Sequence, residues 1–235
     1  MKKNILFVIL GAMIALLVAV FINLNSNTVD NKKALNVNLS NWKYYLVNEN
    51  NPITSEITFK KASIAGTGGS TIKVDSRIKK PLQNLLNAAS KAGYKVSLIS
   101  GYQSLASQDA TYNQALQKAS LKEAVTDLAG MQKIIEKVRK EIINPGANEY
   151  PTGLAVDMAT VAALDKYPNL STKIADTKSQ QWLIKNAPNY GFIVRQKNQP
   201  WHFRYVGINS ARYITNNDLT LEEYIGRVQQ EEKKK

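Results

Sequence analysis

Between Gly153 and Ala159 the chain reads GLAVDMA. The run is short and apolar, as a buried strand requires. Strand alternation puts Leu154, Val156 and Met158 on one face and Ala155 and Asp157 on the other. A carboxylate on such a strand costs free energy unless a metal ion or hydrogen bonds compensate it. Whatever surrounds this strand must therefore supply Asp157 with partners. A second strand, in PWHFRYVG (Pro200 to Gly207), carries His202, the one histidine of the chain, between Trp201 and Phe203. Taken singly, each residue has a structural reading: a satisfied buried carboxylate and a packed imidazole.

The rest of the pattern supplies the frame. Ile78, Leu82, Leu85, Leu86 and Ala89 follow helical spacing, and Gly93 suits the exit from that helix. YKVSLIS (Tyr94 to Ser100) reads as a buried strand. A long helical region is predicted from Ser104 to Ile142, broken near Gly130 and ended by Asn144 to Gly146. Ser179 to Ala187 is predicted helical, with Trp182 and Leu183 inward. YGFIVR and WHFRYV are two further strands. Thr220 and Glu223 form a capping box for a last helix, Leu221 to about Gln230. WKYYLV, from Trp42, is predicted to be a strand that opens the globular part. GTGG (Gly66 to Gly69) is a loop, and no Gly-Lys-Ser/Thr follows it to make a phosphate loop. Interleaved helices and strands of this kind predict an α+β domain with a small, largely antiparallel sheet flanked by helices.

The first residues address location. Lys2 and Lys3 precede an unbroken apolar run from Ile5 to Ile22. Its length approaches the ~20 residues of a membrane span. A cleaved signal peptide is the alternative, although no clear cleavage site follows. With the lysine pair cytoplasmic, the remainder lies outside. The expected division is a cytoplasmic tip and transmembrane anchor over 1–24, an Asn-rich tether over 25–41, the domain over 42–230 and a charged tail over 231–235. The expected location is the cell membrane, single-pass, with the domain on the extracytoplasmic side. There is no cysteine, which excludes disulfides, thiolate zinc sites, a cysteine nucleophile and a lipidated cysteine. The net charge of +13, on an extracytoplasmic domain, suits anionic lipid head groups or acidic wall polymers. No helix-turn-helix or RNA-binding signature is present, and nucleic acid is not an expected partner.

Several words recur together in one order: SGYQS (Ser100 to Ser104), GLAVD, YGF and PWHFRYVG, joined by WLIKNAPNYGF (Trp182 to Phe192) and LTLEEYI (Leu219 to Ile225). On these the chain resembles the VanY-like D-alanyl-D-alanine carboxypeptidases, zinc metallopeptidases that trim peptidoglycan stem peptides. The resemblance runs from about Leu46 to Gly226. It implies a zinc ion held by the His and Asp of a His-x-x-Gly-x-Ala-x-Asp word and by the His of a Glu-Pro-Trp-His word. It also implies that the Glu of the latter activates the zinc-bound water, and that the Arg of Ser-Gly-Tyr-Arg-Ser holds substrate or transition-state charge.

Carried over residue by residue, Asp157 and His202 stand at two of the ligand positions. Tyr150 stands at the third, Gln199 at the general-base position and Gln103 at the arginine position. Asn148 replaces a serine two residues before the first ligand. Ser104, Gln108, Glu149, Gly153 and Trp201 match. Tyr102, Ser104, Gln108, Asn148 and Trp201 are the implied substrate-binding set. The connection over Ile193 to Asn198 is shorter than the family's hairpin, so one pocket wall is expected to be missing.

The departures bear on chemistry. A catalytic zinc site usually has three protein ligands and a water. A phenol, with its pKa near 10, is a poor substitute for imidazole. Glu149 is offset by one residue, so its side chain is expected to point elsewhere. Gln199 has no carboxylate to accept a proton, a loss typically of ~10²–10⁴-fold. Gln103 lacks the positive fork. The expected protein is a membrane-anchored, catalytically inactive homologue that binds stem peptide or a cell-envelope protein and needs no cofactor. Two alternatives stay open. One is an active zinc D,D-carboxypeptidase, its ion held by Glu149 or Tyr150 with Asp157 and His202. The other is an interaction protein that works through the surface of Ser104 to Ile142. A Ser-His-Asp triad from His202, Asp157 and Ser100 or Ser104 lacks a Gly-x-Ser-x-Gly word. A glycosidase pair of Glu149 and Asp157 has only the presence of both residues behind it.

Overall fold

The computed structural model describes residues 31–234. The apolar run and the first part of the tether lie outside the described residues. Among the described residues no helix is long and apolar enough to cross a membrane. The helices are α1 (Asn31–Leu35), α2 (Ser76–Lys91), α3 (Leu105–Lys122), α4 (Leu128–Glu141), α5 (Val161–Lys166), α6 (Lys178–Asn186), α7 (Ile208–Asn216) and α8 (Leu221–Glu232). The strands are β1 (Lys61–Ala65), β2 (Thr71–Asp75), β3 (Val96–Ser100), β4 (Ala155–Thr160), β5 (Phe192–Val194) and β6 (His202–Tyr205). The fold is α+β, as expected. Four strands in the order β3-β4-β6-β5 form an antiparallel sheet, and β1 and β2 form a separate hairpin.

The predicted faces of β4 are the observed ones. Val156 and Met158, with Phe203 of β6, turn into a core closed by Ile78, Leu82 and Leu85 of α2 and Leu183 of α6. Asp75 caps α2, its side chain accepting from the Arg77 amide at 2.9 Å. Gly93 leaves α2 with φ at 82°, a conformation that costs glycine little. A second core joins α7 and α8 to Ala34, Tyr44 and Ile193. The capping box of α8 is present, with Thr220 and Glu223 bonded in both directions.

Two expectations are corrected and two have their bounds refined. WKYYLV is not a strand: Trp42–Tyr44 is a 3₁₀ turn. Its backbone bonds to side chains instead of a ladder, because Arg204 donates to the carbonyls of Lys43 at 3.2 Å and Tyr45 at 2.8 Å. The Asn-rich stretch given to the tether is packed from Asn31 onward: Ala34 is buried, and its carbonyl accepts from the Tyr224 hydroxyl at 2.6 Å. The long helical region breaks between Lys122 and Leu128, ahead of Gly130. Asp127 accepts from the Gly130 amide at 2.6 Å, so that glycine lies in the first turn of α4. The last helix runs on to Glu232, into the stretch assigned to the charged tail.

Residues 36–53 form a strap over the body. Trp42 stacks on Tyr205, with ring centroids 5.9 Å apart and planes within 6°. The Arg77 guanidinium covers the Trp42 ring at 3.9 Å. The Ile53 amide then donates to the Gly146 carbonyl at 2.8 Å. The strap thereby passes beside the strand ends that carry Asp157 and His202.

Candidate functional site

Antiparallel register places Asp157 of β4 opposite His202 of β6, and Ala155 opposite Arg204. The polar residues of both strands thus share the face away from the main core. Asp157 Oδ1 meets His202 Nδ1 at 2.8 Å. Its other oxygen, Oδ2, accepts from the Tyr150 hydroxyl at 2.6 Å. Tyr150 reaches it from a 3₁₀ turn, Tyr150–Thr152, which ends at Gly153 with φ at 68°. A Cβ at Gly153 would lie 2.5 Å from the Phe59 ring, so glycine is required on two counts. The Tyr150 ring meets His202 edge-on at 5.2 Å.

Glu149 does not point elsewhere. Its Oε1 accepts from Arg204 at 2.7 Å and from Arg195 at 3.0 Å. Its Oε2 forms an ion pair with His202 Nε2 at 3.8 Å, too long for a hydrogen bond, and is buried without a hydrogen-bond partner. Arg195 turns its remaining nitrogens onto Glu222 at 2.9 and 2.5 Å. Asn48 of the strap donates to the same Glu222 at 2.9 Å. Arg204 has no exposed surface.

Charge states follow from these neighbours. Burial alone would raise the Glu149 carboxyl, but Arg204, His202 and Arg195 outweigh it and hold the group at about 2. Burial would lower the His202 imidazole, but hydrogen bonding to Asp157 and the nearby Glu149 push it up to about 9. Burial, and then the adjacent Asp157, push the Tyr150 phenol above its ordinary value, so it keeps its proton.

A zinc centre of three protein ligands does not fit this arrangement. Both oxygens of Asp157 are engaged, one by the second candidate ligand itself. Tyr150 is a hydrogen-bond donor here, and ligation would require it to lose that proton. Asp157 and Glu149 approach different nitrogens of one imidazole ring, so they cannot converge with it on a single ion. Among the described residues no group of three or more His, Cys, Asp and Glu side chains is arranged to hold a metal.

A cavity of about 400 Å³ opens beside the cluster. It gathers Asn148, Glu149, Tyr150, Gln199, Trp201 and His202, and the strap adds Val47, Asn48 and Glu49. The remaining members of the predicted set lie outside this lining. Gln103 donates to Ser100 Oγ at 3.2 Å. Ser104 caps α3 by accepting from the Ser107 amide at 3.1 Å. Tyr102 donates to Glu56 at 3.3 Å. Gln108 is buried, with its amide spent on Asn148 at 2.6 Å and on the Gly146 amide at 2.9 Å. Gln108 and Asn148 therefore brace the loop that delivers Glu149 and Tyr150. Sequence reading missed Arg195, Arg204, Glu222 and Glu49. Arg204 carried a signal: a guanidinium inside an apolar strand word must have a buried anion as partner.

The family model described as VanY, D-alanyl-D-alanine carboxypeptidase, matches residues 71–208, which include both strands and the Asn148–Tyr150 loop. The chain is 34% identical over 157 residues to a putative carboxypeptidase, YodJ, of Bacillus subtilis, covering 63% of this chain and 51% of that one. It is 29% identical over 196 residues to a D-alanyl-D-alanine carboxypeptidase of Enterococcus faecalis, covering 78% of this chain and 66% of that one. The chain thus spans about half to two thirds of the length of these curated relatives. Among solved structures, it superposes on VanYB in complex with D-alanine-D-alanine with a TM-score of 0.60, at 28% identity, over 79% of this chain and 98% of that one. The LdcB LD-carboxypeptidase gives a TM-score of 0.56 at 27% identity over 77% of each chain.

Proposed function

Because the chain belongs to the VanY family of D-alanyl-D-alanine carboxypeptidases, we propose that it is a peptidoglycan-directed protein that binds stem peptide without hydrolysing it. One observation carries this reading. The two residues at the family's ligand positions, Asp157 and His202, are bonded to each other, and the phenol of Tyr150 closes the remaining carboxylate oxygen. Glu149 is locked to two guanidiniums through Oε1 and is not free to serve as a base in place of Gln199. A cavity of about 400 Å³ lies beside them, and Trp201 lines it.

The lysine pair and the apolar run to Ile22 support an anchored form, with the domain on the extracytoplasmic side, where peptidoglycan lies. The net charge of +13 suits that setting, since acidic wall polymers and anionic head groups are its near neighbours.

The test pairs binding with turnover. Purified full-length chain is titrated with muropeptides by calorimetry and incubated with pentapeptide to detect released D-alanine. Binding without release is expected. Absence of binding at micromolar protein would remove the peptide-binding reading. Release of D-alanine that disappears in Asp157→Ala would establish the active alternative.

A further inference from the structure

We infer that the free edge of β5 is a docking groove for an extended, uncharged peptide segment with consecutive apolar residues, taken up by strand addition. The sheet order β3-β4-β6-β5 leaves β5 with one neighbour. The Arg195 amide donates to the His202 carbonyl at 3.0 Å, and the Val206 amide donates to the Gly191 carbonyl at 2.8 Å. Both are opposed pairs in the β5–β6 register, so Gly191, Ile193 and Arg195 turn their backbone groups toward β6. Phe192 and Val194 therefore turn theirs the other way. Among the described residues nothing bonds to the Val194 amide or carbonyl.

A cavity of about 600 Å³ lies along this edge, lined from β5 by Ile193 and Val194. Val194 packs on the first core and Ile193 belongs to the second, so their side chains leave opposite faces of the strand. Ile184 of α6, packed on the first core, forms one wall. Ile214 of α7 and Leu219, with the second core, form the other. The space thus sits where the two layers part, at the strand margin. Arg195, Gln196 and Asn198 also line the cavity beside His202, so the two spaces stand back to back across the β5–β6 connection.

The walls set the chemistry of the occupant. The four charged residues of the lining are already paired, Arg195 with Glu222 and Lys197 with Asp218. A charged ligand would have to break one of these pairs, so recognition falls to main-chain bonds and apolar burial. An added strand gives its own amide and carbonyl to Val194. Its successive side chains then alternate between the Ile184 wall and the wall of Ile214 and Leu219. Both walls are apolar, so neighbouring positions are both apolar, as in a strand buried on two faces. β5 is three residues long, roughly 10 Å, and the matching segment has about the same length. A second folded copy does not fit, because its own β5 edge is flanked by the same helices and two recessed edges cannot meet. A single extended chain can enter. This groove does not depend on the stem-peptide reading above.

The probe is acetyl-Ser-Val-Ile-Val-Ser-amide, titrated into isotope-labelled full-length chain while amide hydrogen exchange is followed by NMR. The Val194 amide should exchange freely in the chain alone and slow by at least about tenfold with saturating peptide. The same peptide, N-methylated at one residue at a time, then reads the pattern. Methylation should cost at least about tenfold in affinity where the amide faces β5 and little at the neighbouring residues, since only alternate amides enter a ladder. Uniform sensitivity, or none, would overturn strand addition. Failure of the peptide to protect Val194 would overturn the groove. A Val194 amide already protected in the chain alone would give the edge to another segment of this chain or to a second copy, and would overturn the assignment to a partner. Muropeptides should leave Val194 unchanged; protection by them instead would overturn the choice of occupant. The alterations are all in the peptide, so no folding defect can obscure the result.

Discussion

At the scale of single residues, Tyr150 and Glu149 hold opposite offices around one imidazole. Tyr150 satisfies the outer oxygen of Asp157, and Tyr150→Phe leaves that oxygen without its donor. Such a loss costs about 1–3 kcal/mol. Urea unfolding should report it; an unchanged midpoint would mean that water replaces the phenol. Glu149 makes stability depend on pH. Its folded value of about 2 lies below the ordinary 4.5, so its contribution is present above about 4.5 and drains away as pH falls toward 2. His202 acts in the other direction. Its value is raised from 6.5 to about 9, so its contribution is complete below 6.5 and is lost as pH rises through 9. Stability measured against pH should therefore fall at both limbs. In Glu149→Gln the acid limb should flatten; an acid limb as steep as the parent's would assign it to other groups.

Among the elements, β6 joins most of the molecule. Its His202 faces the site, its Phe203 enters the core, and its Arg204 ties Glu149 to the strap. Arg204→Met leaves Glu149 with one guanidinium and releases two strap carbonyls. Breaking a buried pair in this way costs about 3–5 kcal/mol. Thermal melting checks it, and a loss below about 1 kcal/mol would show that the strap is held by its aromatic contacts alone. The strands of this sheet were legible in the sequence, because period-two alternation survives wherever one face is core and the other carries the site. Helices α2 and α8 were legible from their spacing and caps. The strap was not, since its Lys43 and Tyr45 carbonyls are satisfied by Arg204 and its Tyr44 hydroxyl by Ser210, residues more than a hundred positions away. The pairing of Glu149 with Arg204, 55 residues apart, was hidden for the same reason. Offset by one from the ligand position, Glu149 was expected to face away. The turn at Tyr150–Thr152 instead brings both neighbours to the same imidazole.

For the whole molecule, the packing of α1 and the strap sets where the domain begins. A chain that starts at Trp42 lacks Ala34 and the half-buried Leu35, Val37 and Leu39 of the second core. It should melt several degrees below a chain that starts at Asn31, since ~1 kcal/mol moves Tm by ~2–4 °C at this size. Equal melting temperatures would return residues 31–41 to the tether. The central claim, that Asp157 and His202 are bound to each other and to Tyr150 instead of to a metal, is tested most directly by zinc content. Elemental analysis of purified full-length chain, beside Asp157→Ala, should find zinc far below one equivalent and the same in both. One equivalent in the parent chain, lost in Asp157→Ala, would contradict it.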